Sequence, residues 1–235
     1  MIRLNKFLAQ AGIASRRKCD QLILEGKVKV NDKVETGLGR VINEFKDAVF
    51  FDGKRVELQK NFLYFKMNKP KGYVCTNKDD KGRKTVFDLI KHSERLFTIG
   101  RLDYDTEGLL LFTNDGELAE KLSHPRNEVK KTYIAKIEGV IKESELAVLR
   151  KGVVIDGEVL PSAKVDVYEV AKGYTKLKII IDEGKNHQIK NMFKGIGRTL
   201  MFLKRIEVGG VKLGGLSRGE YKALTDVEVN ILKTL

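Results

Sequence analysis

Near the start of the chain the apolar positions Leu4, Phe7, Leu8 and Ala11 fall at i, i+3, i+4 and i+7, one face of a helix. Gly12 can supply the left-handed residue that ends it. Ser15 is placed to cap a second helix, which buries Cys19, Leu22 and Ile23 and stops at Gly26. The period then changes from helical to alternating. Val28 and Val30 predict a strand that turns at Asn31-Asp32, and residues 48–51 and 54–56 flank Asp52-Gly53, a two-residue hairpin signal. Leu58-Gln59-Lys60-Asn61 reads as a hinge, which divides the chain into a small module, 1–60, and a larger one, 61–235.

The larger part alternates strand and helix patterns. A strand is predicted over 62–67, broken by Asn68-Lys69-Pro70-Lys71-Gly72. Leu96, Phe97 and Ile99 lead into a charged turn, and a continuous apolar run, 109–112, follows as a buried strand. Asn114-Asp115-Gly116 turns into a short helix over 117–123 that closes at His124-Pro125-Arg126. Strands are predicted from 130, over 165–168 and over 177–181, with a helix at 144–150. Ile189, Met192, Phe193 and Ile196 form one helical face, with Lys190 and Lys194 on another. The tail from Leu203 is a strand followed by the Gly209-Gly210 turn. The fold class is α+β: a small α/β module, then a larger, mostly antiparallel mixed sheet with flanking helices.

Composition narrows the partners. At 42% apolar the 235 residues can fill a sizeable core, and the formal net charge of +13 draws the chain to a polyanion. Seven Lys/Arg against two Asp lie in 61–84, and six Lys/Arg with no acid lie in 184–206. No apolar run is long enough to span a membrane, and Met1 to Lys6 lacks the apolar core of a signal peptide. Two cysteines, Cys19 and Cys75, lie far apart without CxxC spacing; this excludes a disulfide framework or a cysteine-based zinc site and suits a reducing cytoplasm. The three histidines, His92, His124 and His187, are scattered and form no metal constellation.

The candidate chemistry centres on residues 98–111, Thr-Ile-Gly-Arg-Leu-Asp-Tyr-Asp-Thr-Glu-Gly-Leu-Leu-Leu, where three carboxylates sit on a short loop between two anchored strands. Asp103, Asp105, Glu107 and Gly108 match positions one, three, five and six of a calcium loop. The match fails at position twelve, Asn114, and the apolar run would bury ligands that must face the ion. A solvated acidic turn, or a catalytic carboxylate, fits the same spacing. Spacing does not choose among the three. In the small module Arg16, Arg17 and Lys18 occupy the first turn of the second helix, where the helix's own positive pole disfavours cations; either they form a solvated charge run or an external phosphate completes them.

Several stretches resemble one family. Residues 100–111 resemble motif II of the pseudouridine synthases, Gly-Arg-Leu-Asp-x-x-[Thr/Ser]-x-Gly-Leu-Leu-[Leu/Ile], at every position. Lys131-Thr132-Tyr133 resembles the Lys-x-Tyr that follows it. Glu183-Gly184-Lys185-Asn186-His187-Gln188-Ile189-Lys190-Asn191-Met192 resembles motif III, and Leu216-Ser217-Arg218-Gly219-Glu220-Tyr221 the closing signature. Asn68-Lys69-Pro70-Lys71-Gly72 resembles the first motif, whose Lys-Pro pair shapes a wall of the active site. Residues 3–31, through Arg3-Leu4-Asn5-Lys6-Phe7-Leu8, Gly12-Ile13-Ala14-Ser15-Arg16-Arg17 and Gly26-Lys27-Val28-Lys29-Val30-Asn31, resemble an S4 RNA-binding domain. Together they resemble the bacterial ribosomal-RNA pseudouridine synthases that carry such a module.

The resemblance implies that Asp103 is the catalytic carboxylate, not Asp105 or Glu107, that Tyr133 lies against the target uracil, and that Lys190 stands where an Arg normally pairs with the carboxylate. Lys keeps the charge and loses the bidentate fork. RNA contacts are expected from Arg16, Arg17, Lys18, Arg101, Lys131, Lys185 and His187. Isomerising uridine to pseudouridine moves no electrons and activates no water, so neither a cofactor nor a metal is expected. The expected partner is ribosomal RNA, large-subunit (23S) in preference to small-subunit (16S), free or in a pre-ribosomal particle, and the chain is expected to act as a monomer. Two readings from other classes predict other behaviour. A non-catalytic assembly factor would bind RNA without altering it, and a nuclease built on Asp103, Asp105 and Glu107 would require divalent ions.

Overall fold

The computed structural model describes residues 1–59, 61–77, 79–155 and 157–235. The chain divides into two compact units. The first takes in 1–63 with 92–96 and 114–116, and the second holds 64–91, 97–113 and 117–235. Lys60, within the expected hinge, lies outside the described residues.

In the first unit β1 (Ile2–Arg3) runs into α1 (Leu4–Gln10) and α2 (Arg16–Leu24), followed by β2 (Val28–Val30), β3 (Lys33–Glu35), β4 (Val41–Ile42), β5 (Val49–Phe51) and β6 (Lys54–Arg55). Four strands form a small sheet in the order β3-β2-β5-β6, and β1 pairs with β4. Gly12 is left-handed (φ +85°), and the Ser15 hydroxyl accepts the Lys18 amide at 3.2 Å, so both expected punctuation marks act where they were placed. The turns at Asn31-Asp32 and Asp52-Gly53 have positive φ at both residues, the geometry a two-residue hairpin needs. Leu4, Phe7, Leu8, Cys19, Ile23, Val28 and Val30 meet in one core.

The second unit contains β7 (Tyr64–Lys69), β8 (Phe97–Ile99), β9 (Glu107–Thr113), α3 (Gly116–Ser123), β10 (Lys131–Glu138), α4 (Glu143–Lys151), β11 (Val153–Ile155), β12 (Glu158–Leu160), β13 (Lys164–Ala171), β14 (Tyr174–Ile181), α5 (Gln188–Gly195), β15 (Leu200–Val208), β16 (Val211–Lys212), β17 (Tyr221–Ala223) and α6 (Asp226–Thr234). Nine strands form one mixed sheet, ordered β13-β14-β10-β15-β9-β7-β17, with β16 beside β15 and β8 beside β9. The β15–β9 pair is parallel and the other pairings in this sheet are antiparallel.

β9 is buried throughout, which explains its unbroken apolar run. Leu109 and Leu111 enter a core with Leu118 and Leu122 of α3, Val211 of β16 and Leu232 of α6, and Phe112 meets Phe87 edge-on. Each such side chain contributes about 2 kcal/mol through removal from water. One strand departs from the expected pattern. β7 was expected to break at Asn68, and it runs on through Lys69, because both polar side chains are buried and bonded: Asn68 Nδ2 donates to the Leu216 carbonyl at 2.8 Å. Their polarity reads as a turn only while their partners, distant in sequence, are unseen.

Candidate active site

The loop from Gly100 to Thr106 is strung between β8 and β9 and held from several sides. The Gly100 amide donates to Ser123 Oγ at 3.1 Å, and the Thr106 amide to the Asp103 carbonyl at 3.1 Å. Gly108 lies opposite Arg205 where β9 runs parallel to β15, with φ +111°; a Cβ there would lie 2.1 Å from the Arg205 carbonyl oxygen. Only glycine fits both the backbone angle and the approach.

Two buried cations grip the loop by its carbonyls. Lys69 is fully buried, and its Nζ donates to the carbonyls of Pro70, Asp103 and Thr106, each at 3.0 Å. Arg205, 3% exposed, donates through Nε to the Leu109 carbonyl at 2.8 Å and through Nη1 to the Arg101 carbonyl at 3.4 Å. The backbone oxygens of 101, 103, 106 and 109 are thus engaged from within, and the Asp103 carboxylate is left at the rim. Burial pushes the Lys69 ammonium below the ordinary lysine value, against the opposing pull of Cys75, Asp103, Asp105 and Glu107. Cys75 itself is raised by burial and exchanges 3.4 Å contacts with the Leu102 amide and carbonyl.

Facing the loop is α5, whose buried Ile189, Met192 and Phe193 leave Lys190 turned to the rim. Lys190 Nζ lies 2.9 Å from Asp103 Oδ2 and 2.5 Å from Asp105 Oδ1. A guanidinium would fork onto one carboxylate; the ammonium, with three donors around a point charge, bridges two. Partial burial disfavours the Lys190 charge, but hydrogen bonds and attraction from Asp105 and Asp103 outweigh it, so its pKa is raised. Asp105 moves the other way: burial would raise it, and Lys190 holds it below the usual aspartate value. His187, left-handed at φ 54°, brings Nε2 to 3.6 Å from Asp103 Oδ1.

Asp103, Lys190 and His187 line a cleft of about 250 Å³ together with Tyr133, Lys131, Arg101 and Lys185. Tyr133 on β10 lies directly opposite Arg205 across the ladder to β15 and is 7% exposed. Lys131 donates to the Val129 carbonyl at 2.7 Å and the Asp182 carbonyl at 3.2 Å, and burial followed by the Arg205 charge lowers its pKa. Asp103, Tyr133, Lys190, Arg101, Lys131, Lys185 and His187 therefore share one wall system. Arg16, Arg17 and Lys18 do not: they are exposed on the first turn of α2, in the other unit. Glu107 bonds Arg218 at 3.0 Å instead of joining Asp103 and Asp105, and among the described residues no three metal-binding side chains cluster. Sequence reasoning placed Lys69 only in a Lys-Pro pair shaping a wall of the site, and passed over Arg205 and the Asp105 contact. The available signal was a charge at inward positions of two strands otherwise rich in apolar residues.

A charged carboxylate beside an ammonium, a tyrosine wall and a basic mouth make a site for a planar group attached to a phosphate chain. Comparison with known proteins decides which chemistry. Residues 64–194 match the RNA pseudouridylate synthase model, and residues 2–43 match the S4 domain. The chain belongs to the RNA pseudouridylate synthase family. It is an isomerase with an N-terminal S4 domain, and the matched segment contains the Asp103 loop, Tyr133 and Lys190. The synthase is 44% identical to the ribosomal large subunit pseudouridine synthase B of Bacillus subtilis, over 100% of this chain and 97% of the relative. It is 34% identical to a putative chloroplastic large subunit pseudouridine synthase of Arabidopsis thaliana, over 98% of this chain and 60% of that protein. A crystal structure of a pseudouridylate synthase superposes with a TM-score of 0.71 at 29% identity, covering 99% of this chain and 100% of that one.

Proposed function

We propose that the synthase converts one uridine of large-subunit ribosomal RNA to pseudouridine, with Asp103 as its catalytic carboxylate. The observation that carries the residue assignment is the 2.9 Å contact between Asp103 and Lys190 at the rim of the cleft that Tyr133 lines. The preference for the large subunit rests on the names of the Bacillus and Arabidopsis relatives. The protein acts in the cytoplasm as a monomer, on free RNA or on a pre-ribosomal particle.

The reaction breaks the N1–C1′ bond, turns the uracil and rejoins it through C5, which gives up a proton to the medium while N1 gains one. Atoms and electrons balance within the nucleoside, so the chain's own side chains suffice. A carboxylate out of bulk water is costly unless a cation accompanies it, and Lys190 is that cation. Tyr133 supplies the flat wall against which the extruded base rests, and leaving the stack costs a few kcal/mol. Arg101 fills the space the flipped base vacates, and RNA contacts from Lys131, Lys185 and His187 at the cleft, and from Arg16, Arg17 and Lys18 on the S4 domain, offset that cost.

The test is release of tritium from C5-labelled uridine in large- and small-subunit RNA transcripts, with EDTA present. Release from the large-subunit transcript is the expected result. Release from the small-subunit transcript alone contradicts the preference. Release abolished by EDTA, or tight binding without release, contradicts the mechanism and favours the metal-dependent or assembly-factor reading respectively.

A further inference from the structure

The Asp103 loop separates two clefts. The second, of about 470 Å³, lies within the same unit and shares Arg101, Leu102, Asp103 and Asn186 with the first. The reaction leaves it unused. We propose that it is the subsite for the nucleobase next to the target uridine in the RNA strand, and that Tyr104 holds that base by stacking. The proposal rests on the reading that uridine in an RNA strand is the substrate of the first cleft.

Continuity of the strand supplies the first argument. A nucleoside drawn out of its stack into the first cleft stays bonded to its neighbours, so an adjoining nucleotide must pass the wall formed by residues 101–104. The lining supplies the second. Tyr104 follows the catalytic carboxylate, and its side chain is largely in solvent, 51% exposed, although nothing in the core requires it there. Its backbone is fixed, because the Gly72 amide donates to the Tyr104 carbonyl at 2.8 Å. A ring on an anchored backbone at the mouth of a cleft offers a stacking surface at little entropic cost, and stacking tolerates any base.

Charge selects among occupants. Arg83 forks onto Asp79, Nη2 to Oδ1 at 2.7 Å and Nε to Oδ2 at 3.2 Å, and the amides of Lys81 and Arg83 also donate to Oδ2. That rim is closed on itself and its strongest cation is already neutralised. Across the lining Asp79, Asp80 and Asp103 balance Lys81, Arg83 and Arg101, so the cleft carries no net positive charge to draw in a free phosphate or an acidic ligand. What remains is the Tyr104 ring, with the Asn186 amide beside it, a lining suited to a flat, neutral, hydrogen-bonding group. A base fits that description; a phosphate does not.

The experiment measures the affinity of the intact protein for a ribosomal RNA fragment spanning the uridine it modifies. Each flanking nucleotide is replaced in turn by an abasic one, and wild type, Tyr104→Leu and Tyr104→Phe are compared. Wild type should bind one of the two abasic fragments about tenfold more weakly than the intact one. Tyr104→Leu should bind the intact fragment about tenfold more weakly and lose nothing further when that base is removed. Tyr104→Phe, which keeps the ring, should retain the discrimination. Thermal unfolding monitors the fold, and an exposed position predicts unchanged melting. Equal binding of intact RNA by wild type and Tyr104→Leu, or two losses that multiply, would overturn the subsite while leaving the isomerase reading intact. A wild type that forms no pseudouridine in any ribosomal RNA would overturn that reading and the subsite with it.

Discussion

Lys69 and Arg205 hold the loop that carries Asp103 without touching its carboxylate. Lys69 takes the Asp103 and Thr106 carbonyls, Arg205 takes those of Arg101 and Leu109, and Lys190 then meets the side chain from α5. Lys69 is expected to act as a positioning residue, an effect that can be separated from stability. Lys69→Met should lower kcat about 100-fold with little change in KM, since a displacement near 1 Å costs that much in rate; an unchanged kcat would remove Lys69 from the account. The pH dependence has a definite sign. The Lys69 pKa lies below 10.5, so activity should fall on the alkaline side as its proton leaves. Its contribution to stability moves the other way: between the folded value and 10.5 the unfolded chain binds more protons, so unfolding becomes costlier as pH rises. Asp103, Tyr133 and Lys190 were legible as motif residues. Lys69 was legible only as part of a Lys-Pro pair and Arg205 was not singled out, because the loop carbonyls they hold lie 34 to 104 residues away in sequence.

At the scale of elements, the Asp103 loop runs into β9 where that strand pairs with β15, with no room for a side chain at Gly108. Gly108→Ala puts a methyl group 2.1 Å from the Arg205 carbonyl at a backbone angle alanine resists, and should destabilise the protein by about 2–4 kcal/mol in denaturant unfolding. A loss under about 1 kcal/mol would show that the two strands can part freely. Elsewhere in the same unit, α4 is tied down by Glu145, which meets Arg198 through both oxygens at 2.6 and 2.8 Å and whose carboxyl is held at about 2. That pair stabilises fully above the ordinary value of 4.5 and is lost as pH falls from there toward 2. Glu145→Gln should cost on the order of 1–2 kcal/mol at neutral pH and flatten the acid limb of the stability curve over that window. Helices and strands with a clear period were readable to within a few residues, as in α5 and β9. The parallel β9–β15 contact was not readable, because nothing local in the 91 residues between Gly108 and Leu200 says which strands will meet.

At the scale of the whole molecule, a net charge of +13 is divided between a small unit with a cation cluster on α2 and a larger one with cations around the cleft. Composition alone predicted a polyanionic partner, and the family match says which chemistry awaits it; the choice of uridine is written in shapes that charge does not reveal. If Arg16, Arg17 and Lys18 each meet a phosphate, changing all three to alanine should weaken RNA binding and reduce the slope of log K against log salt by about 2. An unchanged slope would leave them as a solvated run. The central claim concerns one carboxylate acting in the intact protein on intact RNA, and it is tested most directly by single-turnover formation of pseudouridine in large-subunit RNA by wild type, Asp103→Asn and Asp105→Asn. The account predicts that Asp103→Asn is slower by at least about 1,000-fold, while Asp105→Asn, which leaves Lys190 on Asp103, stays within about tenfold of wild type. Turnover by Asp103→Asn at a rate near wild type, or a larger loss in Asp105→Asn than in Asp103→Asn, would contradict it.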